Sequence, residues 1–383
     1  MVSEKIKMVS TPQFQSGVWT QLRRIAQSGL VGNGYIFSGP PGCGKEGMAT
    51  AFAQFLNCEN PSKKSCGSCP SCARFRALEN EKLKLIVPLP APKGKKIDTD
   101  SEDGNAVSQS DMEFLSEAIQ EKAQNPFHKI RVPKANRILI QTVRELRKSL
   151  FLKDAIKGQK CIVIFDAHLL SVGQGETANA LLKILEEPPE STTFILVTDH
   201  PALLLPTILS RCQTIQFPPL KADDVKAWLT AQGEDENVKF IAGLSQGNIH
   251  RSRKLMALST EDIMDQLEAF IANITSKDPN AWRSFTQEIG RIAFQKPDEL
   301  KFQFQMASLW MHGTFHLRKG MPLPIHETDL KPGMETFNQK YPNADLQSIV
   351  ILFENTLVAK EMNLNMSLIL TNLLLDIEER LNA

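Results

Sequence analysis

The sequence has no apolar run approaching the roughly 20 residues that a membrane-spanning helix needs. Cys161–Phe165 and Leu373–Leu375 are short apolar pieces inside mixed sequence. The stretch Met1–Phe14 also lacks the apolar core and small-residue cleavage site of a secretion signal. A soluble cytoplasmic protein that makes no membrane contact is therefore expected. Charge of one sign is not in excess either, since 44 basic side chains face 43 acidic ones for a net charge of +1. Such a balance argues neither for nor against nucleic acid, which requires only a local basic face. No internal repeat runs through the chain.

What is present is length and apolar content. With 383 residues, 42% of them hydrophobic, the chain can bury a core in each of two or three domains. The first half alternates short apolar runs with helical segments. Tyr35–Ser38, Leu83–Val87, Cys161–Phe165, Phe194–Thr198 and Thr214–Phe217 read as strands, the last at a sheet edge. Met48–Leu56 and Thr177–Glu187 read as helices, the second stopped by Pro188-Pro189. Uninterrupted apolar strands alternating with helices predict an α/β fold with a parallel sheet covered on both faces.

Between about residues 90 and 133 the pattern dissolves into prolines, a lysine cluster and an acidic Ser/Asp-rich stretch, which reads as a mobile insertion. Within it, Asp111–Gln124 has the makings of one amphipathic helix. After Pro218-Pro219 three short helices are expected, at Ala222–Thr230, Asn237–Leu244 and His250–Ala257, with an all-helical region beyond about 275. The expected division is 1–217, 218–275 and 276–383. Trp228 and Trp310 fall in helical stripes and read as core. Leu346, Ile349, Val350, Phe353 and Leu357 form a one-face stripe. Met362–Asn382 is apolar around most of its circumference and is expected to be deeply buried.

Gly39-x-x-Gly42-x-Gly44-Lys45 lies between a strand and a helix and matches a phosphate-binding loop through its lysine. Glycines there let backbone N–H groups converge on phosphate, and Lys45 would reach the β- and γ-phosphates. The next position, where a Ser or Thr hydroxyl binds Mg²⁺, is Glu46. A carboxylate beside phosphate at about 4 Å and an effective dielectric of about 20 costs on the order of 4 kcal/mol unless it turns away. Asp166 ends a buried strand and suits the second Mg²⁺-holding acid, but the residue after it is Ala167. A methyl group cannot activate water, so the general-base contribution of about 10²–10⁴-fold is lost. ATP or ADP binding, if retained through Lys45 and the glycines, would be weak.

The cysteines are unevenly placed. Cys58, Cys66, Cys69 and Cys72 crowd together, while Cys43, Cys161 and Cys212 are isolated. In a reducing compartment two Cys-x-x-Cys steps read as metal ligands, and four thiolates closing a tetrahedron suit structural Zn²⁺ better than an iron–sulfur cluster.

The phosphate loop, the cysteine insertion, Ala178–Pro189 (ANALLKILEEPP) and Leu205–Cys212 (LPTILSRC) together resemble the bacterial clamp-loader family of AAA+ proteins, the loaders of DNA polymerase III, and within it the delta prime branch. The likeness covers about residues 10–90 and 135–260, and the C-terminus only in character. It implies an α/β P-loop AAA+ domain, a small three-helix lid and an all-α collar. It also implies zinc at the four cysteines and, as partners, other loader subunits in a hetero-pentamer. Through that pentamer it implies contact with a sliding clamp and primed DNA. The arginine of the Ser-Arg-Cys motif, here Arg211, is implied to reach a neighbouring subunit's nucleotide.

Departures from the family's pattern all fall on the chain's own site. Besides Glu46 and Ala167, the lid motif Gly-x-x-Arg is here Gly247-Asn248-Ile249-His250, with Arg251 one step late. The expectation is a DNA-replication subunit that does not hydrolyse ATP but supplies Arg211 in trans. Its rivals are an active motor subunit of the same family and a free-standing zinc-dependent nucleic-acid-binding protein. Arg144, Arg147 and Lys148 read as a solvated helix face, and the histidines show no ligand spacing.

Overall fold

A computed structural model describes residues 11–90, 108–150, 158–173, 175–234, 237–323, 330–362 and 364–382. The chain separates into two compact units. One comprises Met1–Gln232 with Gly247–His250, and the other Gly233–Gln246 with Arg251–Ala383. No helix among the described residues is long and apolar enough to cross a membrane.

The first unit is built on five strands: β1 (Gly34–Ser38), β2 (Leu83–Ile86), β3 (Lys160–Ile164), β4 (Thr192–Thr198) and β5 (Gln213–Gln216). They lie in the order β2-β3-β4-β1-β5, and every pairing is parallel. This is the α/β fold with a parallel sheet that the apolar runs predict. Side chains alternate between faces, so Ile36, Ile162, Ile164, Phe194 and Leu196 point to one side. There they pack with Val143, Leu146, Leu181 and Ile184 of helices Ile140–Leu150 and Glu176–Glu186. Tyr35 faces the other way and meets Phe52 of helix Lys45–Leu56 edge-on, with ring centroids 6.0 Å apart. Both faces are covered, as continuous apolar strands require. Thr214 lies in the edge strand β5, which pairs only with β1.

The second unit is helical. Thr260–Ile274, Pro279–Gln295, Pro297–Arg318, Lys331–Lys340, Leu346–Glu361 and Met366–Leu381 follow one another. Phe270, Phe304 and Phe353 meet edge-to-face at its centre. Leu346, Ile349, Val350 and Phe353 are buried, as their spacing predicts. The last helix departs from expectation. It buries Leu370, Leu373, Leu374, Ile377 and Leu381, while Leu368 and Leu375 stay more than half exposed. One face is packed, and the rest of its apolar circumference is open.

Parallel strands put all their carboxyl ends on one side of the sheet, and loops leaving that side form the crevice where ligands bind in such folds. Ser38, Ile164 and Thr198 end β1, β3 and β4 there. The functional side chains follow directly from those three ends.

Candidate functional site

Gly39–Lys45 turns from β1 into the helix Lys45–Leu56. Gly42 (φ +72°) and Gly44 (φ +93°) have left-handed backbones. A Cβ on Gly42 would come within 2.0 Å of the Asn248 Oδ1, and one on Gly44 within 2.5 Å of the Thr11 methyl. Only glycine fits either position. Of the sequence-predicted residues, Gly42, Gly44, Lys45 and Asp166 line one crevice and Gly39 accepts from Lys45 beside it, but the Lys45 and Asp166 side chains are already engaged. Lys45 Nζ donates to the carbonyls of Gly39 (2.8 Å) and Pro40 (2.6 Å) and pairs with Asp199 Oδ1 at 2.7 Å. The P-loop lysine is folded back onto its own loop and is 4% exposed.

Glu46 lines the same crevice, where its charge is met by Lys122 of helix Gln109–Gln124. Lys122 also donates to the His128 carbonyl (2.6 Å) and lies over the Phe165 ring. Lys129 Nζ sits 2.7 Å from Asp166 Oδ1 and 3.7 Å from Asp199 Oδ2. Three ammonium groups and three carboxylates therefore neutralise one another. Burial alone would push the Glu46 carboxyl up, but Lys122 and Lys129 outweigh it and hold it below the usual range. Asp199 is likewise held at about 2, because Lys129 and Lys45 overcome the effect of burial. His250, at the arginine position of the lid motif, is drawn down to about 3 by burial and is neutral at pH 7. Arg251 instead donates to the Leu244 carbonyl and to Gln305 Oε1 within the helical unit.

The stretch read as an insertion supplies this closure. Residues 91–107 lie outside the described residues, but Ser108 caps the helix Gln109–Gln124 by accepting from the Asp111 amide. The chain then crosses the first turn of the P-loop helix. A Cβ on Gly47 would meet Pro126 at 2.9 Å, and one on Gly44 would meet Phe127 at 3.1 Å. Lys122, Lys129 and Asp199 were not singled out from the sequence. Asp199 carried a signal, since it follows an apolar strand as Asp166 does. A lysine on a helix, or after a proline-bounded turn, carries none.

Arg211 is not in this crevice. It precedes β5, and its carbonyl packs beside Gly34, the first residue of β1. The P-loop starts at Gly39, just past the far end of that strand and five residues later, or about 16 Å at 3.3 Å per residue. The guanidinium is partly exposed. It pairs with Glu186 Oε1 at 2.7 Å and donates to the Thr207 carbonyl at 3.1 Å. Val172, Leu203 and Leu209, on the neighbouring connections, are exposed as well.

The four clustered cysteines do converge. Their Sγ atoms all lie within 4.8 Å of one another, with Cys66 and Cys72 3.9 Å apart. A tetrahedral site with bonds of about 2.3 Å needs sulfurs about 3.8 Å apart, so the set fits one metal ion. Cys69 caps the helix Pro70–Arg76, with Pro70 at its first position. Amides of Cys66, Cys69 and Cys72 donate to the sulfurs of Cys58, Cys66 and Cys69. The Cys69 and Ser68 amides lower the Cys66 thiol to about 6. Burial pushes Cys72 up to about 12, so a thiolate there needs a cation beside it. Trp19 and Gln54 tie the loop to the unit through Lys63 O (3.0 Å) and Cys72 O (3.2 Å). Arg144, Arg147 and Lys148 are exposed along helix Ile140–Leu150.

The model of the family described as "DNA polymerase III, delta subunit" matches residues 14–221, more than half of the chain, with the P-loop, the four cysteines, Asp166, Asp199 and Arg211 inside the match. The chain belongs to that family. Among relatives of this delta-family member, the DNA polymerase III subunit gamma/tau of Mycobacterium bovis is 29% identical over 225 residues, covering 58% of this chain and 31% of the relative. The subunit delta' of Bacillus subtilis is 26% identical over 243 residues, covering 63% and 59%. That of Pseudomonas aeruginosa is 27% identical over 232 residues, covering 60% and 56%. The match thus spans from about a third to under two thirds of these relatives. A gamma subunit-related protein of Thermotoga maritima aligns over 95% of this chain and 99% of its own, at 18% identity and a TM-score of 0.36.

Proposed function

We propose that the chain is a delta-prime-like subunit of the DNA polymerase III clamp loader. In this role it does not hydrolyse ATP, assembles with gamma/tau- and delta-like subunits, and helps place a sliding clamp on primed DNA in the cytoplasm. Residues 218–275 would act as the lid, 276–383 as the collar that joins subunits, and Cys58, Cys66, Cys69 and Cys72 would hold one structural zinc.

The observation that carries this reading is a separation of parts. The Arg211 backbone lies beside Gly34, about 16 Å along β1 from the chain's own P-loop, and its guanidinium is partly exposed. The chain's own pocket carries Glu46 in place of the metal-binding hydroxyl and the buried methyl of Ala167 in place of an acid. A forked, permanently charged guanidinium that cannot serve its own nucleotide is suited to a neighbour's γ-phosphate. An active motor reading would need a carboxylate at position 167.

The test is reconstitution with a gamma/tau subunit. The chain alone is expected to show no ATP turnover that Lys45→Ala abolishes. Adding it should raise hydrolysis by the assembly, and Arg211→Ala should remove that increment while leaving complex size unchanged on gel filtration. A finger supplied in trans is worth up to about 10³–10⁵ at the site it serves. Turnover by the isolated chain, or an assembly indifferent to Arg211→Ala, refutes the reading.

A further inference from the structure

Hydrolysis is already disabled at positions 46 and 167, yet the pocket carries more than those two changes. Two residues stand where a nucleotide-bound metal would find its protein ligands: Glu46 after the P-loop lysine and Asp166 at the end of β3. Each holds a lysine of the same chain, Lys122 on Glu46 and Lys129 on Asp166. Two ammonium groups carry the charge of one divalent cation. Lys45, the phosphate-seeking lysine, is spent on Asp199 and on the loop's own carbonyls.

The remaining cavity, lined by Gly42, Lys45, Phe127, Lys129, Asp199 and His250 among others, holds about 20 Å³. That is room for a water, against the roughly 300–1,000 Å³ of ordinary small-molecule pockets. The segment that fills the space is bonded rather than loosely laid. The Asn125 amide donates to Glu121 O, the His128 amide to Asn125 O and the Phe127 amide to Asn125 Oδ1. Phe127 is buried between Phe14 and Trp228.

We propose that residues 122–129 are an intrachain ligand for the P-loop, their two lysines standing in for metal and their backbone closing the phosphate cradle, so that the pocket excludes nucleotide altogether. This goes beyond the loss of hydrolysis and does not rest on Arg211.

The full-length chain should give no saturable calorimetric titration with Mg-ATP or Mg-ADP up to millimolar concentration, and neither should raise its thermal midpoint. The variant Glu46→Thr/Lys122→Ala/Lys129→Ala removes both partners of one pair, restores a metal-binding hydroxyl and clears the strap's charge. It should give a saturable Mg-ATP titration with a Kd at least about tenfold below that millimolar limit, a difference of about 1.4 kcal/mol. Micromolar binding by the unaltered chain, or a folded triple variant with no gain, overturns the proposal. Where the triple variant does not fold, hydrogen exchange on the unaltered chain decides. The amides of residues 125, 127 and 128 should be protected without nucleotide, and exchange at unprotected rates overturns the proposal. Nucleotide binding without turnover would defeat this inference and leave the Arg211 test standing.

Discussion

Asp199 receives two lysines on one carboxylate, and its environment sets a pH dependence with a definite sign. Its ordinary value of 3.8 is lowered to about 2. A carboxylate whose folded value is depressed stabilises the fold above its ordinary range, and that contribution disappears as pH falls toward the folded value. Glu46, lowered from 4.5, acts in the same direction. The stability of the α/β unit is therefore expected to drop as pH falls from about 4.5 to about 2, with about 2 kcal/mol of the loss from Asp199. Urea denaturation of the unaltered chain and of Asp199→Asn, each followed across that range, checks this. The variant should be less stable at pH 7 and should show a shallower acid decline. Parallel pH profiles for the two proteins would contradict it.

At the scale of elements, the four-cysteine loop and residues 122–129, the strap over the P-loop, differ in how far the sequence discloses them. Four thiols with two Cys-x-x-Cys steps announce a shared ligand because local spacing alone brings them together, and Pro70 and Gly67 shape the turn between them. The P-loop is legible for the same reason, since glycines at fixed offsets serve a local backbone path. The strap is not legible. Lys122 and Lys129 matter only because β3, β4 and the P-loop helix meet in space, and nothing near them in sequence names those partners. An acidic Ser/Asp-rich run preceding Asp111 also made the stretch read as a mobile insertion, although the helix within it was legible from Asp111 to Gln124. For the metal loop the expectation is about one zinc per chain by metal analysis. Cys72→Ser, at a fully buried sulfur, should abolish it and lower the melting temperature of the α/β unit. Cys66→Ser, at an exposed one, should weaken metal retention less. A chain that survives strong chelation with unchanged melting would remove the loop's structural role.

At the scale of the whole molecule, two kinds of core imply two kinds of stability. The α/β unit is held by a covered parallel sheet together with a metal-fitting loop and a buried ion cluster. The helical unit relies on aromatic packing, with Phe270, Phe285, Phe304 and Phe353 in mutual edge contact at 5.3–5.6 Å along Phe285–Phe270–Phe304–Phe353. Helical periodicity disclosed which face of Leu346–Glu361 turns inward. It failed on the last helix, where an apolar circumference signals burial whether a helix packs within its own chain or is left partly open. Phe353 is fully buried, so Phe353→Ala should cost about 3–5 kcal/mol through lost contact and the cavity left behind. If the two units unfold separately, scanning calorimetry will show that loss in one transition, while metal chelation moves the other. Zinc content should be unchanged in Phe353→Ala. A single transition lowered equally by both perturbations would mean instead that the units unfold as one cooperative body.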